Sequence, residues 1–506
     1  MIRNLCSSAS THKNGCTWNL VGARASVIAS VVLLFTSVAF GQGQGRSAAP
    51  ADSAQNANLS SQAGALSENP LLGSVPTQPT PGVLKLTLQD AIQRGLKYNL
   101  GLYLSGQGTL QARGARLQAL SALLPNLIAH VARTEEQINL AALGFPGTAA
   151  QKFGISTIAG PFPVFDARAA VTESLSLAAL NNYKASLQNL NTSKLNYENA
   201  RDLVVLVSGG LYMQTLAGAA RIEAVQAQVT TAQTLYDLAV DQKRAGVTPG
   251  IDVLRAQVEL QVQQQRLVAA KNDYAKQKLQ LARAIGLPVS QEIEFVETSM
   301  PNTPTPPITL EQALARAYDH RADYKAAQSQ VRAAEYTRSA AKSERLPSIQ
   351  INGDYGVLGN TPGSSHGTFT ATGALVIPIF QGGRVKGDIT QADALLASRK
   401  ATADDTRNRI EFEVRTALLD LNSAAQQVEV AQSSVGLAQE QVRQSQDRFR
   451  AGVTNNVEVI QAQEALATTN DNLINSLLAH NLAKLSLARA IGVAEEATKE
   501  FLGGKQ

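Results

Sequence analysis

The sequence predicts an α+β chain, internally duplicated, in which each copy combines very long α-helices with a pair of β-strands. Three observations lead there. The first is repetition. Thr87-Leu88-Gln89-Asp90-Ala91 returns as Thr309-Leu310-Glu311-Gln312-Ala313, and Leu124-Pro125 returns as Leu346-Pro347, both 222 residues later. Arg244-Ala245-Gly246-Val247-Thr248 returns as Arg450-Ala451-Gly452-Val453-Thr454, and Leu281 to Gly286 returns as Leu487 to Gly492, both 206 residues later. A unit this long is a duplicated half-molecule, not a short solenoid repeat. The second observation is a change of hydrophobic period from helical to two and back within each copy. The third is length: no proline follows Pro378, and none lies between Pro163 and Pro249.

Taken in order, residues 1–41 read as a secretory signal peptide. Arg3, Lys13 and Arg24 supply a basic start, Ala25 to Phe40 is apolar or small, and Ala39-Phe40-Gly41 has the form of a cleavage site. Both cysteines, Cys6 and Cys16, lie in this segment, so the mature chain has no disulfide, thiolate metal site or cysteine nucleophile. The whole chain carries 45 basic and 40 acidic residues, and losing those three cations leaves 42 against 40. With no basic block, nothing points to nucleic acid. No stretch after residue 41 approaches 18 consecutive apolar residues, so no membrane-spanning helix is expected. Residues 42–82, rich in Gln, Ser, Ala, Gly, Asn and Pro, read as a flexible leader.

The first copy spans 83–300 and the second 308–495, with a Pro-rich linker at 301–307 and a tail at 496–506. Thr87 and Thr309 are expected N-caps of a short opening helix. A second helix follows and must stop before Pro125 or Pro347. Then comes a β-hairpin, placed at 127–177 in the first copy and at 348–380 in the second. In the second copy Ile349, Ile351, Tyr355 and Val357 alternate with polar residues, as do Phe369, Ala371, Gly373, Leu375, Ile377 and Ile379. In the first copy Val171, Leu175 and Leu177 alternate with Thr172, Ser174 and Ser176, and Glu173 interrupts the apolar side. Residues 140–167 are expected to form a long loop, whose Phe145, Phe162 and Phe165 would pack over the hairpin end.

The longest element is expected from Gly383 to Phe449, about 100 Å of helix at 1.5 Å per residue. Such a rod needs coiled-coil partners. Its seam is expected at Val414, Ala417, Leu418, Leu421, Ala425 and Val428. Gly246 and Gly452 suit the left-handed position after a helix end, and the chain then returns as a second helix ending near Gly286 or Gly492. Four half-apolar strands cannot close a barrel alone, and open strand edges cannot remain in lipid. A membrane role therefore requires several copies pooling their strands.

These features together resemble the TolC-like outer-membrane efflux protein family. The two Thr-Leu-x-x-Ala openings, the two Leu-Pro pairs, Ile377-Pro378-Ile379-Phe380-Gln381-Gly382-Gly383-Arg384, and the repeated Arg-Ala-Gly-Val-Thr carry the resemblance over about residues 84–495. The resemblance implies a homotrimer with a long α-helical coiled-coil tunnel and a twelve-stranded outer-membrane β-barrel, four strands from each chain. It implies a passive exit duct of a tripartite export system in the outer membrane of a Gram-negative-type bacterium. The implied partners are outer-membrane lipid, a periplasmic adaptor (membrane fusion) protein and an inner-membrane transporter of the resistance-nodulation-division or ABC type.

By the same resemblance the adaptor-docking tips are Gly246, Val247, Thr248, Gly452, Val453 and Thr454. The family's entrance is narrowed by an acidic ring and by polar links between helix ends. Aligning Gly452 places Glu458 at the first acidic position, with Asp252 as its equivalent in the first copy. Gln461 takes the second acidic position and is neutral. Phe449 falls at a tyrosine position and Thr454 at an arginine position, so a gate unlike the family's is expected. Pro378, Gly382 and Gly383 would let the chain swing from barrel strand to helix. The plainer alternatives stay open: tip residues that only end helices, and first-turn carboxylates that only favour the helix dipole. A periplasmic coiled-coil scaffold or adaptor without a pore is the competing function. No nucleophile-base pair, paired acids, cofactor motif or metal-ligand spacing appears, and the five histidines are scattered, so neither an enzyme nor a cofactor is expected.

Overall fold

The computed structural model describes residues 71, 73–79, 81–143, 156–303 and 307–496. The expected signal peptide (1–41), most of the expected leader, Phe145 and the residues beyond 496 lie outside the described residues. Strand β1 (Leu84–Leu86) opens the described fold. Helix α1 (Leu88–Tyr98) follows behind a capping box in which Thr87 and Asp90 bond each other's backbone. Thr309 and Gln312 repeat that box ahead of α5 (Leu310–His320). Helices α2 (Leu100–Ser121) and α6 (Ala322–Ser343) each stop short of the Leu-Pro pair, where proline's missing N–H rules out another turn.

The described end of the leader is held in place. Asn99 joins α1 to α2 and is buried; its Nδ2 donates to Leu71 O at 2.6 Å, and Val75 N donates to Tyr98 O at 2.8 Å. Thr77 Oγ1 donates to Gly286 O at 2.7 Å, at the end of the return helix α4 (Gly250–Ala284). The expectation of a flexible leader through residue 82 is corrected for residue 71 and for 73–79. The helix corner leaves backbone groups unpaired, and this segment satisfies them.

Four strands form one antiparallel sheet in the order β2 (Asn126–Asn139), β3 (Ile158–Leu175), β5 (Ser348–Gly359), β6 (His366–Val376). Strand β4 (Ile293–Phe295) pairs separately and in parallel with β1. The register puts Leu127, Val131, Ala167, Ala169, Val171, Ile349, Ile351, Tyr355, Phe369 and Leu375 on one face. Asp166, Arg168, Thr172, Gln350, Asn352, Asp354, Thr368, Thr370 and Thr372 occupy the other. Glu173 interrupts the apolar face, opposite Ile351, and neither of its buried carboxylate oxygens has a hydrogen-bond partner.

Three boundaries differ from the sequence expectation. Residues 158–167 belong to β3, not to a loop. The β3–β5 pairing begins only at Phe165↔Gly359, so among the described residues nothing pairs with the earlier ones on that side, where Pro161 and Pro163 lose no β3–β5 ladder bond. Leu177 opens a helix because Ser176 caps it, accepting from Ala179 N at 3.0 Å. Ile377 and Ile379 follow the end of β6, in the irregular link around Pro378.

Helices α3 (Leu177–Arg244) and α7 (Arg384–Arg450) run for 68 and 67 residues. Each turns back, into α4 and α8 (Asn456–Ala490) respectively. On α7 the buried seam is Ile410, Val414, Ala417, Leu421, Ala424, Val428 and Ala431, a strict alternation of three- and four-residue steps. Ala425 is exposed, and Leu418 lies at the seam's margin. The expected Ala425 is thus replaced by Ala424: a repeat of 3.5 residues reaches i+10, whereas a straight helix of 3.6 reaches i+11. The heptad repeat implies left-handed coiling. Two larger cores anchor the rods. One joins Leu86, Ala91, Tyr212, Leu216, Leu281 and Ile293; the other joins Ala313, Ile410, Val414, Leu421 and Leu487.

Candidate functional site

Both hairpin tips are built by one hydrogen-bond pattern. At the first, Val247 N donates to Gln242 O at 2.9 Å and Gly246 N to Lys243 O at 3.0 Å. At the second, Val453 N donates to Arg448 O and Gly452 N to Phe449 O, both at 3.0 Å. This is the Schellman closure, which needs a left-handed residue; Gly246 and Gly452 supply φ of 75° and 72°. Basic residues crowd both helix ends, Lys243 and Arg244 in one and Arg448 and Arg450 in the other, where they meet the negative end of the dipole. Val247 and Val453 are 67% and 71% exposed, the apolar points of the two tips.

The tips lie side by side. Asn456, fully buried at the start of α8, donates from Nδ2 to the main-chain carbonyl of Asp252 in α4 at 3.2 Å. The Asp252 carboxylate is buried and takes Arg255 Nη1 at 3.2 Å. Glu458 accepts from Arg448 Nη1 at 2.9 Å and from Thr454 Oγ1. The hydroxyl at Thr454 therefore makes a polar link to Glu458, and Arg448 pairs with the acid. Phe449 is buried with Leu235 and Val459 and forms the tip's own core. Gln461 is exposed and borders an apolar groove with Ile251, Leu254 and Val457. The structure thus brings Glu458 and Thr454 together with Arg448, which the sequence alone did not single out. It keeps Asp252 in a separate ion pair.

At the sheet-to-helix passage, Gly382 and Gly383 have successive positive φ of 57° and 88°, and Gly383 is the N-cap of α7. Arg384 then donates to Glu344 Oε2 at 2.6 Å and Asp388 Oδ2 at 3.0 Å, fixing the new direction. Pro378 lies between Ile377 and Ile379 in the same exposed link. The polar sheet face holds a further charged group missed at the sequence level. Arg168 contacts Asp166 at 2.7 Å and Asp354 at 3.1 Å, joining the two copies. Asp354's place in the period-two pattern was the available signal. Among the described residues no group of three His, Cys, Asp or Glu is arranged to hold a metal.

Comparison with known proteins agrees with this geometry. The family described as outer membrane efflux protein matches residues 175–287 and 313–493. The pyoverdine export outer membrane protein OpmQ of Pseudomonas putida is 23% identical over 61% of this chain and 66% of its own length. Outer membrane protein OprJ of Pseudomonas aeruginosa is 25% identical over 63% of this chain and 66% of its own. Both alignments thus span just under two thirds of the relative. Among solved structures, the Campylobacter jejuni CmeC outer membrane channel superposes with a TM-score of 0.72 at 16% identity, covering 87% of this chain and 93% of that one. The open state of the Neisseria gonorrhoeae MtrE outer membrane channel gives 0.68 at 16% identity, covering 83% and 95%.

Proposed function

This chain belongs to the outer membrane efflux protein family, and from that premise we propose that it is the outer-membrane channel of a tripartite export system. Three copies pool four strands each into one barrel, and their helices form a tunnel into the periplasm. A periplasmic adaptor docks at the tips around Gly246 to Thr248 and Gly452 to Thr454, and an inner-membrane transporter supplies the energy. The observation that carries this reading is the sheet: four strands, one mainly apolar face broken at Glu173, and outer edges on β2 and β6 that pair with nothing among the described residues. Lipid tolerates the apolar face and forbids the open edges, so the edges must meet other copies. A pore-free scaffold would have no use for such a face.

The entrance is set by the Arg448–Glu458–Thr454 link, with charges of both signs in place of a bare acidic ring. The test is single-channel conductance of the mature protein in a planar bilayer. Glu458→Ala leaves Arg448 unpaired and moves selectivity toward anions; Arg448→Ala frees the acid and moves it toward cations. Conducting steps that neither change alters would keep the channel and discard the gate. Absence of any conductance from a folded protein that needs no detergent would reject the channel itself.

A further inference from the structure

The two helical hairpins of one chain border a half-open cavity of about 470 Å³, to which α3, α4, α7 and α8 all contribute. That volume lies in the range of small-molecule sites. Ala224, Leu466 and Ile474 give it apolar walls. Three of its polar side chains are deeply placed: Glu259, Gln263 and Gln463 are 8%, 3% and 8% exposed. Gln263 Nε2 donates to Glu259 Oε1 at 2.6 Å, but Gln263 Oε1 and Gln463 Nε2 have no partner. A buried polar atom without a partner is costly, and a row of them is rarely kept by packing alone. Where α7 borders the cavity its buried seam is Ala438, Val442 and Ser445, which packs without a buried amide. Glu223 adds a second carboxylate, and no lysine, arginine or histidine lines the space.

We propose that this cavity binds a small organic cation. An ammonium group seats against the Glu259 carboxylate and the free carbonyl oxygen of Gln263. A hydroxyl or carbonyl oxygen on the same ligand accepts from Gln463 Nε2, and its hydrocarbon part lies on Ala224, Leu466 and Ile474. Two carboxylates without a counter-cation exclude phosphate or carboxylate ligands, and partial enclosure strengthens the attraction for a positive charge. The site is made within one chain and does not rest on the channel reading.

The test is calorimetric titration of the full mature chain in detergent with phenylethanolamine at neutral pH, with phenylethyl alcohol as the uncharged control. The amine is expected to bind saturably, one per chain, and about tenfold or more tighter than the alcohol, as a charge-assisted hydrogen bond provides. Glu259→Gln and Gln263→Leu should each weaken the amine by about tenfold and leave the alcohol little changed. Exposed Glu223→Gln, which leaves the packing alone, should weaken the amine by roughly threefold and so serves if the buried variants do not fold. Absence of saturable binding to the wild-type chain would overturn the proposal. So would equal affinity for amine and alcohol, or an amine affinity that no folded variant alters. Conductance measured on the same preparation reports separately on the channel.

Discussion

Gly452 holds φ at 72° with no atom within 4 Å of where a Cβ would stand. Alanine there meets open space, so its whole cost is the left-handed backbone, about 1–2 kcal/mol. Gly452→Ala is expected to lose that much locally, read as faster amide exchange at the α7–α8 turn; unchanged exchange would mean that the turn tolerates another closure. A second residue ties stability to pH. Burial pushes Asp202 up to about 6, the cation of Arg489 opposing it only in part. The folded value lies above that of the unfolded chain, so the folded state prefers the protonated acid. Asp202 therefore costs nothing below about pH 4 and destabilises increasingly as pH rises toward and through 6. Asp202→Asn should melt higher than wild type at pH 7.5 and equally at pH 3.5; a constant difference would assign the effect to packing. Single residues were legible in the sequence where a local rule governs them, as with the capping threonines and tip glycines. Arg448 was not, because its link to Glu458 spans ten positions and exists only once the turn sets the hairpin angle.

Among elements, the seam of α7 separates two helical periods by one residue. Ala424 is buried and Ala425 exposed. Ala424→Lys buries a charge and should cost about 2 kcal/mol or more. Ala425→Lys should stay within about 0.5 kcal/mol of wild type. Thermal unfolding of the pair checks this, and the reverse ranking would return α7 to a straight 3.6-residue helix. The existence of the rods was legible because apolar spacing and missing proline act over many residues. The choice between 3.5 and 3.6 was not, since the two repeats part by a single position in eleven and both positions hold alanine. The first part of β3, residues 158–167, hid for another reason. Pro161 and Pro163 argue against a strand, and only the shorter reach of β5 makes them tolerable in one.

At the scale of the whole molecule, the two sheet faces assign lipid and water. Phe369 stands opposite Tyr355 on the apolar face, and Thr370 stands opposite Asp354 on the polar one. The two residues are neighbours in β6, so strand propensity and depth in the membrane are nearly the same for both. Only the face differs. Phe369→Lys places a charge against lipid and should cost up to about 4 kcal/mol, with loss of stable membrane assembly. Thr370→Lys faces Asp354 and water across the sheet, so assembly should persist. The new charge should instead move conductance toward anions. Extraction behaviour and conductance of the two variants check the pair. If Thr370→Lys blocks assembly while Phe369→Lys spares it, the faces are reversed, and Arg168, Asp166 and Asp354 would have to lie against lipid. A cluster of three charged groups is poor company for hydrocarbon. The outer edges of β2 and β6, unpaired among the described residues, sharpen the same point: a face that seeks lipid beside edges that cannot bear it is what the proposed ring of neighbouring copies would reconcile.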